Sequence, residues 1–119
     1  MQDFRKLQLW RSAHTLTLDI YRLTKSFPTD ERFGLIDQMR RASVSIESNL
    51  AEGTGRKCDA DFARFVQMAF GSACELECQL LVARDLKLLD ESAASKVLAD
   101  LERTKRMLSG LLRKLKADS

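Results

Sequence analysis

Apolar residues recur at steps of three and four along most of the chain, which is the period of an amphipathic α-helix. The first such stretch covers residues 7–26, and its apolar stripe runs from Leu9 to Phe27, just before the only proline. Three more stretches cover residues 30–53, 59–88 and 91–116. The period-two alternation that is typical of half-buried strands is not sustained anywhere. The pattern therefore predicts four helices.

Residue types at the ends of these stretches fit helix boundaries. Proline disfavours helical backbone at the residue before it, so the first helix ends near Phe27. Thr29 or Asp30 is a suitable N-cap for the second helix, and Asp90 for the fourth. Glycines on both sides of Thr54 supply the positive φ that helix ends commonly need. Short connections favour an all-α fold, an antiparallel up-down-up-down four-helix bundle, as a single domain over residues 1–119.

Composition narrows the class of protein. A chain of 119 residues with 31% charged and 45% hydrophobic residues has room for one hydrophobic core. No apolar run approaches the roughly 18 residues of a membrane span, and no apolar stretch follows the N-terminus as in a secretory signal. Three cysteines are too few, and odd in number, for a disulfide framework. We therefore expect a cytoplasmic protein that has no membrane partner.

Candidate catalytic chemistry is sparse, because the chain has one histidine. A di-iron bundle needs Glu-x-x-His on two helices, but Arg11 stands three residues before His14. Cys74 and Cys78, four residues apart, could form half of a metal site, but a second ligand pair is missing and packing is their simpler role. Cys58 begins the third helix with no histidine nearby in sequence, and its reactivity stays open. We expect no enzyme, no metal and no cofactor.

Two predicted helices carry a second apolar strip away from their core stripe. A helix that packs in a monomeric bundle needs only one apolar face, so a second face favours contact with another copy of the chain. The alternative is that scattered exposed apolar residues have no such role. The candidate subunit-contact residues are Leu7, Trp10, Leu18 and Tyr21 on the first helix, with His14 in the same strip, and Gly71, Cys74, Cys78 and Val82 on the third.

Charged residues also fall beside the predicted core. Glu77 and Arg84 lie at the edge of the third helix's core stripe, and a buried charge must be paired. Arg40 and Arg41 of the second helix are the available partners. The four residues predict buried or half-buried ion pairs that fix the helix register, and a carboxylate site is the alternative.

Positive charge is concentrated near the C-terminus. The net charge is +3, yet residues 103–117 contain six cations and no acid. One interpretation is the favourable interaction of cations with the C-terminal end of a helix dipole. The other is a nucleic-acid contact surface. The candidate contact residues are Arg103, Arg106, Arg113 and Lys114.

Several short segments, taken in order, resemble one bacterial family. They are Asp3-Phe4-Arg5-Lys6-Leu7, Tyr21-Arg22-Leu23-Thr24-Lys25-Ser26-Phe27-Pro28, Gln38-Met39-Arg40-Arg41-Ala42, Asn49-Leu50-Ala51-Glu52-Gly53, Asp61-Phe62-Ala63-Arg64-Phe65 and Ala83-Arg84-Asp85-Leu86. The chain is similar to the four-helix-bundle family of 23S rRNA intervening-sequence proteins. More distantly, it resembles the accessory variability determinant of diversity-generating retroelements. Cys58 stands where the family usually has serine, and Ser48 where proline is common.

This resemblance implies a cytosolic homopentamer, shaped as a short barrel, with no established enzymatic activity. It carries over no catalytic residue. The retroelement relatives associate with a reverse transcriptase and with nucleic acid. Two functions are therefore expected as alternatives. The first is binding of RNA, DNA or a ribonucleoprotein through basic faces repeated around the oligomer. The second is an oligomeric scaffold or accessory protein for a protein partner.

Overall fold

The fold is an antiparallel up-down-up-down bundle of four helices, as predicted. A computed structural model describes residues 3–118, without the side chains of residues 32, 33 and 118. Within this part of the chain there is no strand. Each helix packs on the helices that precede and follow it in the chain, and the first helix also packs on the fourth. The longest dimension is 45 Å, the length of one long helix. The helices are α1 (Gln8–Thr24), α2 (Asp37–Thr54), α3 (Asp59–Asp85) and α4 (Glu91–Asp118).

The core lies along the axis of the bundle and is built from the predicted stripes. Each helix contributes large side chains that are almost fully buried, among them Leu16, Ile46, Leu76 and Leu108. α3 adds small residues, Ala69 and others, where its neighbours approach closely. Thr104 is one of six buried polar residues in the described chain. Its hydroxyl donates to the carbonyl of residue 100 and contacts the hydroxyl of residue 12 at 2.8 Å. Burial of these stripes is the main source of stability.

The second helix begins later than the sequence predicts. Regular α2 starts at Asp37 rather than near residue 30. Two irregular turns precede it: a 3-10 turn, Thr29–Glu31, and a π-type turn, Arg32–Ile36. The cause is Gly34, whose φ of −103° and ψ of −106° lie outside the helical region. Glycine has no Cβ to forbid this conformation. Thr29 and Asp30 consequently do not cap α2.

The expectation of a positive φ at residues 53–55 is wrong. Gly55, which ends α2, has a φ of −85°. Gly53 is needed for close packing instead. A Cβ at this position would lie 2.7 Å from Cδ1 of Phe62 and 3.0 Å from Cβ of Phe65. The absence of a side chain on Gly53 therefore lets α2 and α3 approach at their junction.

The left-handed residue of this chain lies after α3. Lys87 has a φ of 63°, the only positive value among non-glycine residues in the described part of the chain. The N–H of Leu88 donates to the carbonyl of Ala83 at 2.9 Å, which closes the helix end. α4 then begins as predicted, because Oδ1 of Asp90 accepts the N–H of Ala93 at 2.7 Å.

Candidate nucleic-acid and subunit interfaces

The four cations predicted to contact nucleic acid lie on two sides of α4. Arg103 lines a groove of about 300 Å³ between α1 and α4. Arg106 and Arg113 line a second groove, of about 450 Å³, between α3 and α4. Lys114 is exposed and lines neither groove. α4 therefore presents two basic edges separated by its outer surface, rather than one basic stripe.

These cations also differ in how far they are already neutralised. Arg103 forms an ion pair with Asp100 at 2.9 Å, and Arg106 lies 3.7 Å from Glu102. Among the side chains that the structure describes, Arg113 and Lys114 form no ion pair, and the stretch from residue 103 to residue 117 contains no acid. The positive charge that is free to attract an anion is consequently greatest at Arg113 and Lys114.

Arg11 is a basic residue that the sequence reasoning did not assign to this surface. It is exposed and lines the same α1–α4 groove as Arg103. No acid lies three or four residues from Arg11 on its own helix, and it forms no ion pair with the described residues. The absence of an acid at i±3 or i±4 can be read from the sequence, and it indicates that Arg11 has no ion-pair partner on its own helix.

The α3–α4 groove holds a half-buried ion pair. Nζ of Lys105 donates to Oε1 of Glu77 at 2.9 Å, and lies 5.8 Å from the centre of the Phe70 ring. The hydrogen bond to the Glu77 carboxylate raises the pKa of Lys105 above its ordinary value, against a smaller opposing effect of burial. Phe70 of α3 therefore supplies an aromatic ring to this basic groove, whereas α4 itself contains no aromatic residue.

Arg40 does not pair with Glu77 or Arg84. Its Nε donates to Oγ1 of Thr24 at 2.9 Å, and its guanidinium lies 4.6 Å from the ring centre of Tyr21. Both partners belong to α1. The role of Arg40 is thus to join α2 to α1 through a hydrogen bond and a cation–π contact.

The other predicted partners form short-range ion pairs. Arg41 pairs with Asp37, and Arg84 with Asp85, at 3.0 and 3.1 Å, on the outside of the bundle. The expected pairing of the two α2 arginines with α3 is therefore wrong. Glu77 lies on the side of α3 that faces α4, so its partner comes from α4. Sequence spacing places a charge beside the core but does not show which neighbour that side of the helix faces.

The predicted apolar strip of α3 lies on the surface of the bundle. On α3, Gly71, Cys74 and Cys78 are exposed and Val82 is 44% exposed. A Cβ added to Gly71 would meet nothing within 4 Å. Packing within one chain consequently gives no reason for a glycine at that position.

The α1 strip is divided between packing and exposure. Leu18 is 42% exposed and Tyr21 is exposed beside Arg40, whereas Leu7 and Trp10 are half-buried. The Trp10 ring stacks on the imidazole of residue 14 with centroids 4.8 Å apart, and meets the ring of residue 4 edge-on. The sequence reasoning missed three exposed apolar side chains: Val44, Met68 and Leu86.

The single histidine joins two helices. Nδ1 of His14 lies 3.0 Å from a carboxylate oxygen of Glu47, a mostly buried residue of α2. Within residues 3–118, no three His, Cys, Asp or Glu side chains converge as metal ligands. The three cysteines are exposed free thiols. In the same part of the chain, no helix is long and apolar enough to cross a bilayer.

This bundle is similar to known proteins in both structure and sequence. The chain resembles a crystal structure of a protein with unknown function, from the S23 ribosomal protein family of Bacteroides thetaiotaomicron VPI-5482. The TM-score is 0.81 at 19% identity, over 87% of this chain and 97% of that one, so the likeness concerns the fold. No curated protein matches this chain. The family described as 23S rRNA-intervening sequence protein matches residues 5–110, and neither description names an enzymatic activity. The chain belongs to the family of 23S rRNA-intervening sequence proteins.

Proposed function

We propose that the protein is a non-enzymatic homo-oligomer that binds the phosphate backbone of RNA or DNA. The observation that carries this proposal is the unneutralised positive charge of α4, above all at Arg113 and Lys114. The groove residue Arg11 extends the same charge to the α1–α4 side of the helix, and Arg106, 3.7 Å from Glu102, adds a partly neutralised cation on the α3–α4 side. Nucleic-acid affinity depends on cations that can replace condensed counterions, and paired cations do this poorly.

Assembly supports binding by repeating a weak site. One bundle offers only a few free cations, which is a small number for a phosphate-binding protein at physiological salt. Five copies, the number that the family resemblance implies, would carry five times +3, or +15. Sites that are fixed on one rigid body act at a high effective concentration, and avidity can exceed single-site affinity by roughly 10²–10⁴. The oligomer is therefore the binding unit in this proposal.

The surface favours backbone contacts over base recognition. α4 contains no aromatic residue. Phe70 reaches the α3–α4 groove, but Lys105 lies over its ring and the ring packs against the core. Stacking of unpaired bases requires an accessible aromatic face. We therefore expect binding that tolerates changes of sequence and weakens steeply with salt.

The test replaces the two α3–α4 groove arginines together, as Arg106→Glu with Arg113→Glu. We expect retention of structured RNA or duplex DNA on filters at low salt to be lost, while sedimentation shows an unchanged oligomer. The matched control, Lys87→Glu with Lys96→Glu, makes the same charge change in the α3–α4 connection and the first turns of α4, and should keep most binding.

The result that contradicts the proposal is also clear. If a verified wild-type oligomer retains neither RNA nor duplex DNA at low salt, the phosphate-binding function is wrong. The alternative, a scaffold for a protein partner, would then stand, and a pull-down partner that survives nuclease treatment would support it.

A further inference from the structure

Five of the six large exposed apolar side chains of the described residues lie on two different faces of the bundle, and the sixth, Leu86, follows the end of α3. Leu18, Tyr21 and Val44 are on α1 and α2, whereas Met68 and Val82 are on α3. α4, which packs on α1 and α3, has no large exposed apolar residue within the described chain. The molecule thus presents two apolar surfaces that are unlike each other and leaves its basic helix polar.

The first surface is a groove with arginines in its wall. Side chains of α1 and α2 line an open groove of about 570 Å³. We call it the α1–α2 groove, and its lining is Tyr21, Asp37, Arg40, Arg41, Val44 and Ser45. The Arg41 side chain is 80% exposed, although it pairs with Asp37. The groove therefore combines apolar contact area with a guanidinium that can accept a second carboxylate.

The second surface is a ridge with an acid at its centre. We call it the α3 ridge, formed by Met68, Gly71, Glu75, Cys78 and Val82. Met68, Glu75 and Val82 recur at steps of seven, with the small residues between them, which is the spacing of a helix seam that packs on other helices. Glu75 is exposed and forms no ion pair within the described residues. Gly71, which has free space around it, lets another backbone approach.

From this complementarity we infer that the α3 ridge of one copy packs into the α1–α2 groove of a second copy. The inference rests on the assembly in the proposed function and identifies which surfaces meet. Glu75 lies opposite Arg41, so that Arg41 bridges Asp37 and the Glu75 of the neighbouring copy. A carboxylate buried in an apolar seam without a cation would be strongly unfavourable. The charge pair consequently fixes the register that apolar contacts alone would leave open.

The consequence is a head-to-tail assembly. Because ridge and groove are different surfaces, each copy offers one of each, and the contact is heterologous rather than two-fold symmetric. Such contacts close into a ring when the rotation between copies permits. α4 lies diagonally across the bundle from α2 and takes part in neither surface, so the basic edges stay exposed in every copy.

Two single substitutions test this arrangement. Val82→Arg disables the ridge, and Val44→Arg disables the groove; both positions are exposed, so the bundle itself should fold. By sedimentation, each variant alone should be a monomer of 13.5 kDa. An equimolar mixture should give a heterodimer of twice that mass, because one intact ridge still meets one intact groove. The control Ser95→Arg, on the exposed face of α4, should leave the wild-type oligomer.

Other outcomes overturn the inference. If either variant alone still associates with itself, the contact between copies does not require one ridge and one groove. If the mixture stays monomeric, the two surfaces do not meet. If the wild-type chain is itself a monomer, the proposed assembly fails before the question of surfaces arises.

The Glu75–Arg41 contact has its own test. Glu75→Arg and Arg41→Glu should each dissociate the oligomer, and the double variant should restore it. A double variant that is no more associated than the single ones contradicts this contact, while the mixing experiment still decides whether ridge and groove meet.

Discussion

Two glycines in this chain should respond in opposite directions to the same substitution. Gly53→Ala places a methyl group 2.7 Å from the Phe62 ring and 3.0 Å from Cβ of Phe65. Overpacking of this kind typically costs about 1–3 kcal/mol, whereas alanine in place of glycine inside a helix gains roughly 0.5–1 kcal/mol. The net loss for Gly53→Ala should be about 1–2 kcal/mol. The methyl group added by Gly71→Ala meets nothing within 4 Å. This substitution should therefore raise the free energy of unfolding by the full gain of alanine over glycine in a helix, roughly 0.5–1 kcal/mol.

The assay is urea unfolding followed by circular dichroism. Both substitutions should be made in the Val82→Arg background, so that dissociation of the oligomer does not contribute to the free energy of unfolding. In the otherwise wild-type chain, Gly71→Ala should instead weaken assembly, because the α3 ridge needs close helix approach at Gly71. If Gly53→Ala is as stable as its background, the contact with Phe62 does not restrict the α2–α3 junction. If Gly71→Ala destabilises the monomer, packing within one chain accounts for the glycine.

Three further substitutions address stability. Lys87→Gly should raise the free energy of unfolding by about 1 kcal/mol, since glycine adopts the φ of 63° without strain; Lys87→Ala is the control and should gain nothing. Gln79→Met should be neutral or stabilising by about 1 kcal/mol, because Oε1 of Gln79 is buried without a hydrogen-bond partner in the described structure; a clear loss in urea unfolding would contradict this. Glu77→Gln should cost about 1 kcal/mol below pH 10.5, because the raised pKa of Lys105 makes the ion pair stabilising there. That difference from wild type should shrink as pH rises through the folded-state pKa of Lys105, and a pH-independent difference would rule out the charge pair.

The helical stripes explain why the fold could be predicted from the sequence. Leu16, Ile46 and Leu108 lie at the expected spacing and are buried. The start of α2 could not be predicted, since a run of helix-compatible residues does not show that Gly34 will leave the helical region. A glycine permits such a conformation without requiring it. The residues packed around Gly34 decide which conformation it adopts.

The sequence predicts which types of residue form the candidate surfaces, but it does not predict which residues pair with each other. Spacing identified exposed apolar positions such as Val82 and the cation-rich stretch that ends α4. It could not show that Glu77 pairs with Lys105, because the partner depends on the rotation of each helix about its own axis. For the same reason, Arg11 joins the basic groove only once α1 and α4 lie side by side.

In the proposed function the oligomer, rather than one bundle, binds phosphate backbones. The direct measurement is duplex RNA affinity against salt concentration for wild type and for monomeric Val44→Arg. Wild type should bind more tightly by roughly 10²–10⁴ at low salt, with a steep linear loss in log affinity against log salt. The variant should bind weakly although it carries one more positive charge. Equal affinity of the two proteins, or wild-type affinity that is independent of salt, would contradict the claim.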